Sequence, residues 1–161
     1  MKNQKTQTDQ TGCLFQLKNL NYNNLKNRIK HNEGFSLIPY KDQLGFLTIG
    51  YGHLILSHET YLLEKKIRKK ELQKLFEQDF EKALNNYKGF LKIFSSNKKD
   101  QDLLIEMVFQ MGIKGVLDFK KLLENMTKGN KHLVCFEMMS SLWYKQTPKR
   151  VKNLINIFLK K

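Results

Sequence analysis

At 161 residues with 40% hydrophobic positions, the chain is long enough for one well-buried domain, or two small lobes sharing a helix, and too apolar for disorder. Its two cysteines, Cys13 and Cys135, stand in unlike contexts with no Cys or His at ligand spacing. That argues against a disulfide framework and a metal site, and for a reducing compartment. The net charge of +14 draws such a chain toward polyanions, whether nucleic acid, acidic lipid heads or an anionic cell envelope.

Residues 1–24 are rich in Gln, Asn, Thr and Lys and read as a flexible polar amino-terminal extension, with a short apolar patch at 14–20. The first ten residues are polar and Cys13-Leu14-Phe15 is too short for an h-region, so no signal peptide is expected. Charged residues interrupt every apolar stretch before it could span a bilayer.

The remainder, 25–161, reads as one domain. Residues 25–70 should hold a first helix and a small β lobe, 71–88 a bridging helix, and 89–161 a helical lobe. Leu25 and Ile29 repeat at helical spacing, Asn23 or Asn24 is placed to cap, and Gly34 stops the helix just after Glu33. The pattern then switches to extended pieces, 36–40 and 46–50, joined at Asp42-Gln43-Leu44-Gly45, with a third strand or its edge at 53–56. Residues 57–70 read equally as a short helical turn or a loop.

From Glu71 to Tyr87 the apolar positions Leu72, Leu75, Phe76, Phe80, Ala83 and Leu84 mark a long amphipathic helix, which Gly89 should break. Asn97 or Asp100 can cap the next helix, whose positions Leu103, Leu104, Met107, Val108 and Met111 are apolar on most sides and so call for burial. Gly112-Ile113-Lys114-Gly115 should turn the chain. Helices at 118–125 and 131–141, a turn at 143–148, and a closing helix with Pro148 at its first position complete the reading. No internal repeat is present.

The run from Glu33 to Leu54 concentrates the chemistry. A helix end and a hairpin folded beside it can point Glu33, Asp42 and Thr48 into one crevice. Glycoside cleavage asks for that arrangement: a proton donor on one side of the bond, and a carboxylate and a water on the other. A pair of acids alone is weak evidence, because most are solvated surface groups.

The surrounding residues add specificity. The segment E-G-x-x-L-x-x-Y-x-D-x-x-G-x-x-T-I-G-Y-G-H-L resembles the active-site hairpin of the T-even phage lysozyme family of muramidases. Residues 107–112, with Gly115, Val116 and Phe119, resemble that family's central helix and following turn. Trp143-Tyr144-x-Gln146-Thr147-Pro148-x-Arg150 resembles its carboxy-terminal signature, and Leu75-Phe76-x-Gln78-Asp79 its bridging helix. The match runs from about Leu25 to Phe158 with the motifs in family order.

The resemblance implies an α+β, mostly helical, lysozyme-like fold: a small β-hairpin lobe and a larger all-helical lobe, joined by a long helix with a cleft between. By the same resemblance Glu33 is the general acid, kept protonated by partial burial. Asp42 activates a water and opposes developing charge on the sugar, and Thr48 holds that water. In an inverting scheme the carboxyls stand about 6.5–9.5 Å apart. Arg150 matches the arginine that holds the glutamate in place, and His53 and Asp79 match a structural pair. Gln110, Leu54, Phe109, Gly52 and Met111 are expected to contact saccharide, and Tyr40 to pack at the cleft wall. Taken one at a time, Thr48 is also an ordinary strand threonine, Arg150 a solvated helix arginine and Met111 a core residue.

Departures from the pattern leave Glu33, Asp42 and Thr48 untouched. The stretch between His53 and Asp79 is short for the family, Leu44 replaces a polar residue, Leu142 stands where an arginine is usual, and Glu137 replaces a neutral amide. Function is therefore expected to be cleavage of the β-1,4 bond between N-acetylmuramic acid and N-acetylglucosamine in bacterial peptidoglycan. The protein would need no metal or cofactor and act as a monomer. It would collect in the cytoplasm of an infected bacterium until a membrane lesion releases it, as phage endolysins do. Positive charge would assist on the anionic envelope. Two other classes remain: an inactive wall-binding or virion structural domain on the same fold, and a nucleic-acid binder, which basic charge favours but no recognition motif supports.

Overall fold

The computed structural model describes residues 22–42, 45–64 and 66–160. The expected extension up to residue 21, with Cys13, therefore lies outside the described residues, as do Gln43 and Leu44.

Helix α1, Asn23–Glu33, buries Leu25 and Ile29 and ends at Gly34, whose φ of 72° and N–H bond to the Lys30 carbonyl follow the glycine stop expected there. The predicted asparagine cap does not form. Asn23 and Asn24 lie inside the first turn, and Tyr22 precedes it without a side-chain cap bond. Strands β1 (Ser36–Lys41), β2 (Leu47–Gly50) and β3 (His53–Leu54) make one antiparallel sheet in that order. The β1–β2 ladder is irregular between Ser36 and Tyr40, where Pro39 has no N–H to offer. The ambiguous segment after the sheet carries a short helix, α2, Tyr61–Glu64.

Helix α3, Lys69–Asn86, begins slightly earlier than its hydrophobic pattern, because the Glu71 carboxylate takes the Arg68 N–H at 3.0 Å and satisfies an orphan donor of the first turn. It serves two cores. Leu72 and Leu75 join Ile49, Leu62 and Ile67 in the small lobe, while Phe76, Phe80, Ala83 and Leu84 enter the large core. Gly89 does not break the path as expected. Buried Tyr87 and Leu91 anchor a π-helical turn, Tyr87–Leu91, and a 3₁₀ turn, Lys92–Phe94, before the chain leaves the helix.

Asn97 caps α4, Lys98–Leu117, accepting the N–H groups of Lys99 and Asp100. Residues 103–108 are all buried, so α4 is the centre of the helical lobe. The predicted turn at 112–115 shrinks to a kink at Gly112 (φ 73°, ψ 167°), after which helical geometry resumes. Helices α5, Lys120–Thr127, and α6, Lys131–Met139, pack as a pair. A further correction falls at 143–148: the expected turn is a short helix, α7, Leu142–Gln146, which Ser141 caps by accepting the Tyr144 N–H at 3.1 Å. Thr147 donates its hydroxyl to the Trp143 carbonyl, and Pro148 opens the closing helix α8, Pro148–Leu159. The architecture is the α+β, mostly helical one expected of a lysozyme-like chain.

Candidate active site

Glu33 occupies the last position of α1, its side chain 20% exposed. Arg150, in the first turns of α8, donates from Nη1 to Glu33 Oε1 at 2.8 Å. The other carboxylate oxygen faces the β2–β3 turn, where a Cβ added at Gly52 would stand 3.3 Å from Glu33 Oε2. Gly52, with a φ of 85°, thus supplies both the turn and the room for the acid.

The hairpin presents the other candidates. Tyr40 pairs with Thr48, and Thr48 with Leu54, so the three share one face of the sheet; Asp42 comes directly after the end of β1. Asp42 is held at the hairpin end, its Oδ1 accepting the Phe46 N–H at 2.8 Å and its carbonyl accepting the Gly45 N–H at 3.0 Å. Thr48 is buried and donates its hydroxyl hydrogen to the Phe46 carbonyl at 3.2 Å. Tyr40 ties this face to Glu33. Burial, then the negative charges of Glu33 and Asp42, push its phenol above the ordinary 10.0. Both carboxylates are therefore within electrostatic reach of one tyrosine.

The expected saccharide-contact residues divide between two hollows. Gly52, Leu54 and Phe109 line a groove of about 290 Å³ with His53, Asp79 and Val108. Gln110 and Met111 line a larger cavity of about 720 Å³ whose other walls include Phe119, Glu137, Leu142 and Trp143. Gln110 is oriented there by the Trp143 indole, which donates from Nε1 to its Oε1 at 2.8 Å. An aromatic path runs between the lobes: Tyr51 packs on Phe76 with ring centroids 5.4 Å apart, and Phe76 on Phe109 at 5.5 Å.

His53 and Asp79 are paired, Nδ1 to Oδ2 at 2.7 Å. The motif did not reveal Glu59, whose Oε2 lies 3.1 Å from His53 Nε2 while also accepting the Leu56 N–H. Burial alone would lower the His53 pKa, but hydrogen bonds and charge from Asp79 and Glu59 outweigh it and raise it above 6.5. Also unanticipated were Arg28, Asn32 and Glu106, which gather behind Glu33. The one available signal was a glutamate set in the apolar run of α4. Cys135 is a free buried thiol, raised in pKa by that burial. Among the described residues no cluster of His, Cys, Asp or Glu is arranged to hold a metal, and no helix is long and apolar enough to cross a membrane.

A carboxyl group at a helix end, facing a sheet that carries a second carboxylate and a hydroxyl, can protonate one side of a bond while a water is activated at the other.

The family model described as phage lysozyme matches residues 30–157. Similar proteins include probable T4-type lysozyme 2 of Dictyostelium discoideum, 34% identical over 159 residues, which span 83% of this chain and 92% of that protein. Probable T4-type lysozyme 1 of the same organism is 30% identical over 156 residues, with the same coverage of 83% and 92%. The pre-baseplate central spike protein Gp5 of Enterobacteria phage T4 is 29% identical over 153 residues, 81% of this chain but 27% of that protein. With its motifs in order, its fold and these matches, the chain belongs to the phage lysozyme family.

Proposed function

We propose that the protein is a muramidase that hydrolyses the β-1,4 bond between N-acetylmuramic acid and N-acetylglucosamine in peptidoglycan. The observation that carries this reading is Glu33 on Arg150 at 2.8 Å, with its other oxygen against Gly52 of a hairpin that carries Thr48 in β2 and Asp42 just past β1. Glu33 gives its proton to the glycosidic oxygen as that bond breaks. A water held by Thr48 attacks the anomeric carbon from the opposite side, and Asp42 takes the proton the water loses. The product is inverted at that carbon. Leu54, Phe109 and Gly52 offer the sugar an apolar groove with close backbone approach, and Gln110 and Met111 extend contact beyond it. The charge of +14 favours the anionic wall and weakens with salt. The protein acts as a monomer and accumulates in the cytoplasm of an infected bacterium before reaching the wall through a membrane lesion.

A second reading, a non-catalytic structural domain, is favoured by the similarity to a phage spike protein. One experiment separates the two. Purified protein is expected to clear permeabilised cells, and Glu33→Gln is expected not to; NMR of fresh products should show the inverted anomer. No clearing by the wild type favours the structural domain, and clearing that survives Glu33→Gln removes Glu33 as the acid.

A further inference from the structure

The proposed chemistry uses Glu33 and Arg150 but leaves Glu106 without a role. Glu106 sits midway along α4 with 0% of its surface exposed. A carboxylate in such a place is costly unless charges and hydrogen bonds surround it. Its Oε2 accepts from Arg28 Nε at 2.7 Å, and its Oε1 accepts from Asn32 Nδ2 at 2.9 Å. Arg150 Nη2 stands 3.6 Å from the same Oε1. The Arg150 guanidinium therefore stands between two carboxylates, hydrogen-bonded to Glu33 through Nη1 and within ion-pair distance of Glu106 at Nη2, which makes no hydrogen bond of its own. Asn32 is the residue before Glu33, so Glu106 also ties the end of α1 to α4.

We propose that Glu106 is a positioning residue for Glu33, holding Arg150 from behind and offsetting its charge so that Glu33 can carry a proton while staying in place. The inference rests on reading Glu33 as the acid. Two guanidinium groups, Arg28 and Arg150, meet two carboxylates, Glu106 and Glu33. When Glu33 is protonated, Glu106 alone still opposes Arg150. Were Glu106 neutral, Arg150 would favour the ionised form of Glu33, the form that cannot donate. Among the described residues, Glu33 also acts electrostatically on the neutral Tyr40 phenol, as does Asp42 from the hairpin end, and Lys30 and His31 are the basic residues of the last turn of α1. Lys30 is drawn toward Glu77 at 3.9 Å and over the Phe76 ring at 4.5 Å, and His53, beside Gly52, is engaged by Asp79 and Glu59.

The test compares wild type with Glu106→Gln, Glu106→Asp, Arg28→Met/Glu106→Gln and Glu33→Gln. For each, Tm, kcat, KM and the pH profile on peptidoglycan are measured. Glu106→Gln should lower kcat roughly tenfold to a hundredfold, leave KM within about twofold, and move the alkaline limb to lower pH. The paired Arg28→Met/Glu106→Gln substitution removes one charge of each sign, so Tm should recover while kcat and the limb stay shifted. Glu106→Asp keeps the charge and should keep the alkaline limb of the wild type. A paired variant with wild-type kcat and pH profile overturns the proposal, as does a limb shift in Glu106→Asp as large as that in Glu106→Gln. If Glu33→Gln remains active the acid assignment falls as well; if it is inactive while the paired variant matches wild type, only the role of Glu106 falls.

Discussion

Arg150 reaches Glu33 across 117 positions of sequence, with Nη1 2.8 Å from Oε1 and its own side chain only 9% exposed. That contact joins the first helix of the domain to its last. Arg150→Met should therefore lower stability by about 2 kcal/mol, the scale of a charge-assisted hydrogen bond. It should also lower kcat more than Arg150→Lys does, since lysine keeps the charge without the planar fork. Denaturant titration and initial rates of wall clearing check both outcomes.

Gly52→Ala tests the room beside the acid. The backbone φ of 85° costs an alanine about 1–2 kcal/mol. Its methyl group would stand 3.3 Å from Glu33 Oε2, tighter than a comfortable contact. We expect kcat to fall by more than the stability loss explains, read from single-turnover rates at a temperature where the variant is fully folded.

The His53 group makes stability depend on pH with a definite sign. Its native pKa is raised above 6.5, so the extra proton affinity stabilises the fold fully below 6.5 and is lost as pH rises through the raised native value. The Tm difference between wild type and His53→Gln should accordingly be largest in acid and shrink above that window. A difference that grows with pH would contradict the pairing with Asp79 and Glu59.

Phe76 is 1% exposed and touches Tyr51, Phe80 and Phe109. Phe76→Ala removes the ring where α3 passes from one core to the other, at a cost of about 3–5 kcal/mol. Chemical denaturation gives the value directly. Hydrogen exchange should speed up in the sheet as well as in α4.

Trp143→Phe keeps most of the buried ring but deletes the N–H that orients Gln110. Stability should fall by about 1 kcal/mol. KM should rise severalfold with kcat nearly unchanged, because Gln110 is distant in role from the proposed proton transfer.

The helices were legible because their apolar residues repeat at the helical period, and α1, α3 and α8 follow that pattern closely. Turn residues misled where a neighbour overrode them. Gly89 looked like a break, yet buried Tyr87 and Leu91 carry the helical path past it. Residues 143–148 looked like a turn, yet the Ser141 cap starts a helix.

By itself the sequence determined the local periods, the glycine stop after Glu33, and the family motifs that select Glu33, Asp42, Thr48 and Arg150 as candidates. Spacing along a chain carries no charge balance across an interior, so it could not show Glu59 completing the His53 pair or Arg28 and Asn32 enclosing Glu106. The Glu106 contacts exist only once α1 and α4 are packed, and the His53 group only once the sheet and the segment after it lie against α3. A buried carboxylate is tolerable only where folding brings its counter-charges within hydrogen-bond reach.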